Sequence, residues 1–429
     1  MADVLARDGP SSSSTYCCRQ HPADADPATG ISEVYWISGG VLLLVAMRLV
    51  PLNLAGRAVG EGLDVYLFLI GMMLLSELAR EYGVFNWLSS VAVRSANGSC
   101  SRLFALVYGT GTVVTIFLSN DATAVVLTPS ILTAVRKAKV EPIPYLFVCA
   151  LIANAASFVL PISNPANLVV FHHGMPPLGQ WLLSFGIPSF LSIAATYAVM
   201  RFVFRKQLCC AIECEIEIEP LNSDGKLVLT GLAVMVIVLL TASSLKEDLG
   251  LPTCLAALTI TAAVSIKSRN NPIRLAREIS WGTLVLVAGL FIMVDAVESM
   301  GALHLTQTWL AAAQRLPTAT AALLTGFAVG VGNNLVNNLP LGLLVGGTLQ
   351  ASHAQGLIVR SVLIGVDLGP NLSVTGSLAT ILWLLALRKE GLDVSFWRFL
   401  KVGILATPIA LLSSLAGAIL MQLLLRSDR

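Results

Sequence analysis

The sequence predicts an all-α polytopic membrane protein made of two inverted-topology repeats that contain re-entrant hairpins and broken transmembrane helices. Three observations lead there. Hydrophobic residues make up 55% and charged residues 12% of the 429 positions, with a mean hydropathy of +0.79. A water-soluble domain needs a larger polar shell, so the bilayer is the solvent. Apolar stretches near the ~20 residues that a crossing helix needs recur along the whole length. The chain also repeats itself. An offset of 218 aligns Gly71 with Gly289, Glu77 with Asp295, Gly83 with Gly301 and Asn120 with Asn338, and an offset of 213 aligns Asn154–Asn167 with Asp367–Thr380 without gaps.

Taken in order, residues 1–30 are polar, include Ser11–Ser14 and lack the apolar core of a signal peptide, which predicts a disordered cytoplasmic tail. Eleven hydrophobic units follow, at 33–52, 62–80, 103–136, 144–173, 181–204, 227–245, 250–267, 281–300, 318–349, 357–387 and 398–425. They divide into a first transmembrane repeat over 31–204, a cytoplasmic linker over 205–226 and a second repeat over 227–429. Units 103–136, 144–173, 318–349 and 357–387 carry Asn, Asp, Ser, Gly or Pro in their middles. Unpaired backbone is penalised in hydrocarbon, so such breaks survive only where they line a cavity.

Orientation follows from Lys and Arg. If 103–136 and 318–349 are hairpins that return to their starting side, nine crossings remain. The cytoplasmic segments then hold 20 of the 27 basic residues. If the hairpins crossed, Arg136, Lys137 and Lys139 would lie outside. An odd number of crossings separates equivalent units, so the halves are inverted, and inverted repeats with discontinuous helices place a solute between their paired breaks.

Four segments should therefore converge at the midplane: 119–123, 157–167, 333–340 and 367–380. Their polar side chains are mostly neutral donors and acceptors, suited to a small polar solute held at several weak points. The predicted substrate contacts are Ser119, Asn120, Thr123, Ser163, Asn164, Asn167, Asn337, Asn338, Asn371, Gly376, Ser377 and Thr380. The two acids in these segments, Asp121 and Asp367, are the predicted proton carriers, because a carboxylate removed from water favours its protonated form. The bland alternative has each Asp capping the N-terminus of a half-helix. A carboxylate at 121 argues against an anionic substrate, since like charges repel in a dehydrated site. A neutral polyol-like acid or a cation fits better.

The stretches LSNDATAVVLTPSIL, VGNNLVNNLPLGLL and GVDLGPNLSVTGSLATILWLLAL resemble the arsenite/antimonite efflux permeases of the ion transporter superfamily, over about residues 33–425. The Ser-Asn pairs at 119–120 and 163–164 are also similar to dicarboxylate transporters and sodium/proton antiporters. The resemblance implies export of uncharged trivalent arsenic or antimony hydroxide across the inner membrane in exchange for protons, and so arsenical resistance. It allows a soluble arsenite-stimulated ATPase partner and a homo-oligomer. The alternative is a proton- or sodium-coupled carrier of silicic acid, a dicarboxylate or sodium. The chain departs from these relatives at Asn154, where they often carry an acid, and at Asn371, where they often carry Lys. Losing both together keeps the charge balanced. One hydrophobic span before residue 62 is also absent relative to many of them.

No resident metal or cofactor and no nucleic-acid partner is expected: the net charge is +2, and neither a GxxxxGK[ST] loop nor an HExxH pair occurs. One charge falling through 100 mV yields about 2.3 kcal/mol, enough to support a roughly 40-fold gradient of a neutral solute without ATP. The eight cysteines show no framework spacing and read as mostly reduced thiols. Cys209, Cys210 and Cys214, or Cys17, Cys18 and His21, could hold trivalent arsenic, but tight thiolate binding would slow release. His172 and His173 read as solvated loop residues, and Glu77 and Asp295 as helix-end acids, Glu77 pairing with Arg80. An intramembrane enzyme would need a nucleophile and base at the breaks, and Ser119 and Ser163 have no His or Lys there. A passive channel would need neither Asp121 nor Asp367.

Overall fold

The computed structural model describes residues 33–47, 50–171, 174–212, 220–299 and 301–427. The predicted tail, Cys17, Cys18, His21, His172, His173 and the linker stretch with Cys214 lie outside the described residues. Those described are almost entirely helical and contain no strand, only an isolated bridge between Ser99 and Ala211.

The helices are α1 (Glu33–Ala46), α2 (Leu52–Glu61), α3 (Leu63–Glu81), α4 (Val84–Ser95) and α5 (Cys100–Phe117), then a π-helical turn (Ala122–Leu127) running into α6 (Thr128–Lys137). They continue with α7 (Ile143–Ala155), α8 (Pro165–Val170), α9 (Leu178–Val203), α10 (Ser223–Leu245), α11 (Gly250–Ser268), α12 (Pro272–Glu278) and α13 (Trp281–Ser299). The last are α14 (Ala302–Gln314), α15 (Thr318–Val336), α16 (Asn338–Ala351), α17 (Leu357–Leu368), α18 (Leu378–Lys389) and α19 (Phe396–Ser427). Among the described residues, six helices are long and apolar enough to cross a membrane singly. The pairs α2–α3 and α12–α13 pass the same test together, bent by 50° and 49°.

The repeat seen in sequence recurs in the elements. Helices α3 and α13, α4 and α14, and α5 and α15 begin at the offset of 218, while the 3-10 turns at Pro161 and Val374 and the half-helices at Pro165 and Leu378 begin at the offset of 213. Gly83 and Gly301 take up left-handed backbone, φ +75° and +90°, to turn the chain between the first two helices of each set. At the same offset α10 would fall on residues 5–27, which lie outside the described residues.

The units 103–136 and 318–349 both fold back as hairpins. In the first half, Tyr145 Oη donates to the Cys100 carbonyl (3.2 Å) and a Cβ on Gly111 would meet Ile152, so α5 and α7 run side by side in one direction. The chain between them has therefore gone in and returned. In the second half, a Cβ on Gly365 would stand 2.6 Å from the Gly326 carbonyl and one on Gly369 2.3 Å from the Gly330 carbonyl, so α15 and α17 touch backbone to backbone, again in parallel.

The helices pack as two bodies. Helices α3, α10 and α11 pack on one another, with α12 and α13 beside α3 and with α1 and α2 on α13. The second body holds α5 against α7, α15 against α17, and α9 along α19. Its centre is α7, apolar on every face and buried throughout.

One end of the molecule is basic. Tyr82 bonds Ser268 (2.7 Å), Lys267 pairs with Asp224 (3.5 Å) and Arg136 pairs with Glu390 (3.3 Å), which gathers the ends of α3, α11, α6 and α18. Among the described cysteines, Cys149, Cys209 and Cys254 are free, while Cys100 and Cys210 are joined in a disulfide at this end. Regular spacing gave no hint of it, because the partners lie 110 residues apart.

Candidate functional site

The two breaks cross at the centre of the second body. In the first half, α7 ends at Ala155 and α8 restarts at Pro165 with Asn164 as its N-cap, accepting from Ala166 N (3.0 Å). In the second half, α17 ends at Leu368 and α18 restarts at Leu378 with Ser377 as its N-cap, accepting from Thr380 N (3.2 Å). Asn154 Nδ2 donates to Asn371 Oδ1 (2.9 Å), and Asn371 in turn donates to the Leu151 carbonyl (2.9 Å). Asn154 and Asn371 thus touch across the breaks. Asn164 Nδ2 donates to Asp367 Oδ1, joining the breaks a second time.

Most of the remaining polar side chains serve the broken backbone, which hydrocarbon would otherwise leave unpaired. Asn167 donates to the Ser157, Leu160 and Pro161 carbonyls (2.9, 3.4 and 3.2 Å). Ser163 donates to the Ile116 carbonyl (2.9 Å), fastening the break to the tip of α5. Thr123 bonds Thr115 (2.8 Å), Asn120 accepts from Asp121 N (2.9 Å), and Ser377 and Thr380 bond each other (2.8 Å). Gly376 leaves room for Pro370, whose Cα would lie 2.4 Å from an added Cβ. Asn337 caps α16 at the second hairpin tip, accepting from Leu339 N (3.4 Å), and Asn338 is buried beside it.

Two residues outside the predicted contacts do comparable work. Asn333 Nδ2 donates to the Gly365 and Val366 carbonyls (2.8 and 2.9 Å), ends that α17 leaves open. Asn334 donates to the Gly369 carbonyl (3.0 Å) and accepts from Ser373 N and Oγ (3.0 and 2.7 Å). The doubled Asn-Asn of VGNNLVNN was the signal for them.

Between the two bodies, at the first hairpin tip, lies a cavity of about 120 Å³. Ser119, Asp121, Ala122, Val125, Val126, Pro165, Leu378 and Leu382 line it from the second body, and α3 (Phe68 to Glu77) with Glu278–Thr283 from the first. Three carboxylates (Glu77, Asp121, Glu278) and four hydroxyls (Ser76, Ser119, Ser280, Thr283) face it, and its described lining includes no Lys, Arg or His. Ser119 and Asp121 are the predicted site residues that reach it. Asp121 does not cap the helix after it: the Ala122 amide is taken by Ser119 Oγ (3.2 Å), and the Asp121 side chain makes no capping bond. Glu77 lies on the wall and pairs with Arg80.

Asp367 sits elsewhere. Fully buried in the last turn of α17, it has Oδ1 held by Asn164 and Oδ2 without a partner. It caps no N-terminus, and the macrodipole at that end disfavours a negative charge.

A second cavity, of about 340 Å³, repeats the first in the other half. Its Phe291, Val294, Asp295 and Leu343 stand at the offset of 218 from Met73, Ser76, Glu77 and Val125 of the first. It also meets Glu61 and His353, at the end of the molecule away from Tyr82 and Ser268.

A family profile described as "Citrate transporter" matches residues 32–365. The chain belongs to that citrate transporter family. This family member is similar to the arsenical pump membrane protein of Yersinia enterocolitica, 27% identical over 364 residues that cover 81% of this chain and 84% of that one. It is also similar to the putative arsenical pump membrane protein of Bacillus subtilis, 23% identical over 416 residues covering 90% and 94%. Among solved structures, the YdaH transporter of Alcanivorax borkumensis shares the fold, with a TM-score of 0.60 at 16% identity over 92% of this chain and 98% of that one. The resemblance read from the three motifs agrees with these relatives. The family member is a multi-pass membrane protein and a secondary transporter of a small molecule.

Proposed function

We propose that this transporter exports arsenite and antimonite, as the neutral trivalent hydroxides, from the cytoplasm in exchange for protons. The lining of the smaller cavity carries the reading. Its volume of about 120 Å³ is well above the ~10–15 Å³ that one water needs, enough for a small polar solute. Three hydroxyl groups on one centre would donate to the carboxylates and accept from the serine and threonine hydroxyls. Relatives named arsenical pump membrane proteins support the same substrate.

The family description favours a second reading, carriage of a carboxylate such as citrate. Such an anion would meet Asp121 and Glu278 with no Lys, Arg or His on the described wall, Glu77 being paired with Arg80.

The basic end is cytoplasmic in this reading, so the smaller cavity faces inward and its repeat image outward. The two halves are inverted repeats, and exchange alternates between their cavities. Ser119 and Asp121 bind the substrate from the hairpin tip. Asp121 and Asp367 carry protons, and the amides of the breaks, among them Asn120, Asn164 and Asn371, hold the shape in which this happens. In cells lacking their own arsenite pump, expression of the chain should lower steady-state arsenite several-fold. Unchanged arsenite together with faster citrate uptake would replace this reading by the carboxylate one.

A further inference from the structure

The disulfide lies where the connector between the halves meets the first hairpin. Cys100 is the first residue of α5 and fully buried, whereas Cys210 is exposed on the connector, with their Cα atoms 5.5 Å apart. The contact is more than the two sulfurs. Ile212 N donates to the Gly98 carbonyl (2.8 Å), Cys100 N to the Cys210 carbonyl (3.4 Å), and Ser99 and Ala211 form an antiparallel bridge. The connector is thus laid against the root of the hairpin by backbone bonds that do not need the disulfide. They hold the two thiols in reach of each other in either redox state.

The location sets the chemistry. Arg94 and Arg102 flank this root, and Arg201, Arg205 and Lys206 precede Cys210, so the positive-inside rule places it in the cytoplasm. Cytoplasmic thiols are kept reduced, and disulfides there are transient or sensing. We propose that Cys100 and Cys210 form a reversible thiol–disulfide exchange site, taking a low-molecular-weight disulfide such as oxidised glutathione as oxidant and its thiol as reductant. The exposed Cys210 thiolate attacks one sulfur of the small disulfide and expels one small thiolate. The Cys100 thiolate then attacks the Cys210 sulfur of the mixed disulfide and expels the second. One protein dithiol and one small disulfide give one protein disulfide and two small thiols, which carry away the two protons. Reduction runs the same steps in reverse, beginning at the exposed sulfur.

The consequence is mechanical. The connector joins α9, in the second body, to α10, in the first. Up to Ile212 the connector already lies on the hairpin root through its backbone bonds, so the disulfide makes that attachment covalent.

The test uses the full chain in native membranes with a protease site inserted between Arg205 and Lys206, both exposed. After cleavage, residues 1–205 and 206–429 stay joined without reductant only when a disulfide spans the cut. The joined fraction should rise and fall with the ratio of oxidised to reduced glutathione. It should vanish in Cys100→Ser and Cys210→Ser and persist in Cys209→Ser. Mass spectrometry of disulfide-linked peptides from the uncut wild-type protein gives the same answer if the insertion disturbs folding. Halves that separate at every ratio, halves that stay joined in reduced glutathione, or loss of the link in Cys209→Ser would each overturn the proposal. The readout is covalent and so independent of which solute is carried.

Discussion

Asp367 is fully buried and Asp121 half-buried on a cavity wall, and substitutions should separate them. Asp367→Asn keeps an oxygen to accept from Asn164, so the protein should fold at wild-type yield while proton-driven transport falls to background. Asp367→Leu strands the Asn164 amide in the core and should cost about 1–3 kcal/mol of stability, read as a lower melting temperature in detergent. Asn154 and Asn371 make a second test, because their side chains share a hydrogen bond at full burial. Either Asn154→Asp or Asn371→Lys alone buries an uncompensated charge and should reduce folded yield. The double variant restores a pair and should recover most of it. At this scale the sequence was legible in residue type but not in role. Asn, Ser and Thr at a break can hold either solute or backbone, and only the fold shows that Asn167, Ser163 and Ser377 hold backbone while Ser119 and Asp121 face open space.

Among elements, the apolar units of the sequence match the long helices closely, as with 181–204 against Leu178–Val203 and 250–267 against Gly250–Ser268. What hydropathy missed were α2, α4, α12 and α14. They are short or carry charge, such as Arg57 and Glu61 in α2 or Arg274 and Glu278 in α12, and no uninterrupted apolar run marks them. The π-helical turn at Ala122–Leu127 also has no sequence signature, since ATAVVL would serve an α-helix equally well. Close helix contact is the clearest element-scale liability. Gly365→Ala would drive a methyl group against the Gly326 carbonyl and force α15 from α17, which should cost about 1–3 kcal/mol. The melting temperature of the purified variant checks this, and an unchanged value would mean the two helices have slack.

At the scale of the whole molecule, the internal repeat explains why two of the described cavities, of different size, have equivalent walls. The first meets Asp121, whereas the residue at the same offset in the second hairpin tip is Leu339, so only one of the two tips presents a carboxylate. That asymmetry leaves a transporter with repeated halves a single hairpin-tip carboxylate, and it predicts that Asp121 decides coupling. Arsenite accumulation in everted membrane vesicles energised by respiration tests this most directly, comparing the wild-type chain with Asp121→Asn, each with and without a protonophore. Wild-type vesicles should accumulate arsenite and lose it on addition of the protonophore, with Asp121→Asn at background throughout. Accumulation that survives both the protonophore and the substitution would contradict proton-driven export through this site.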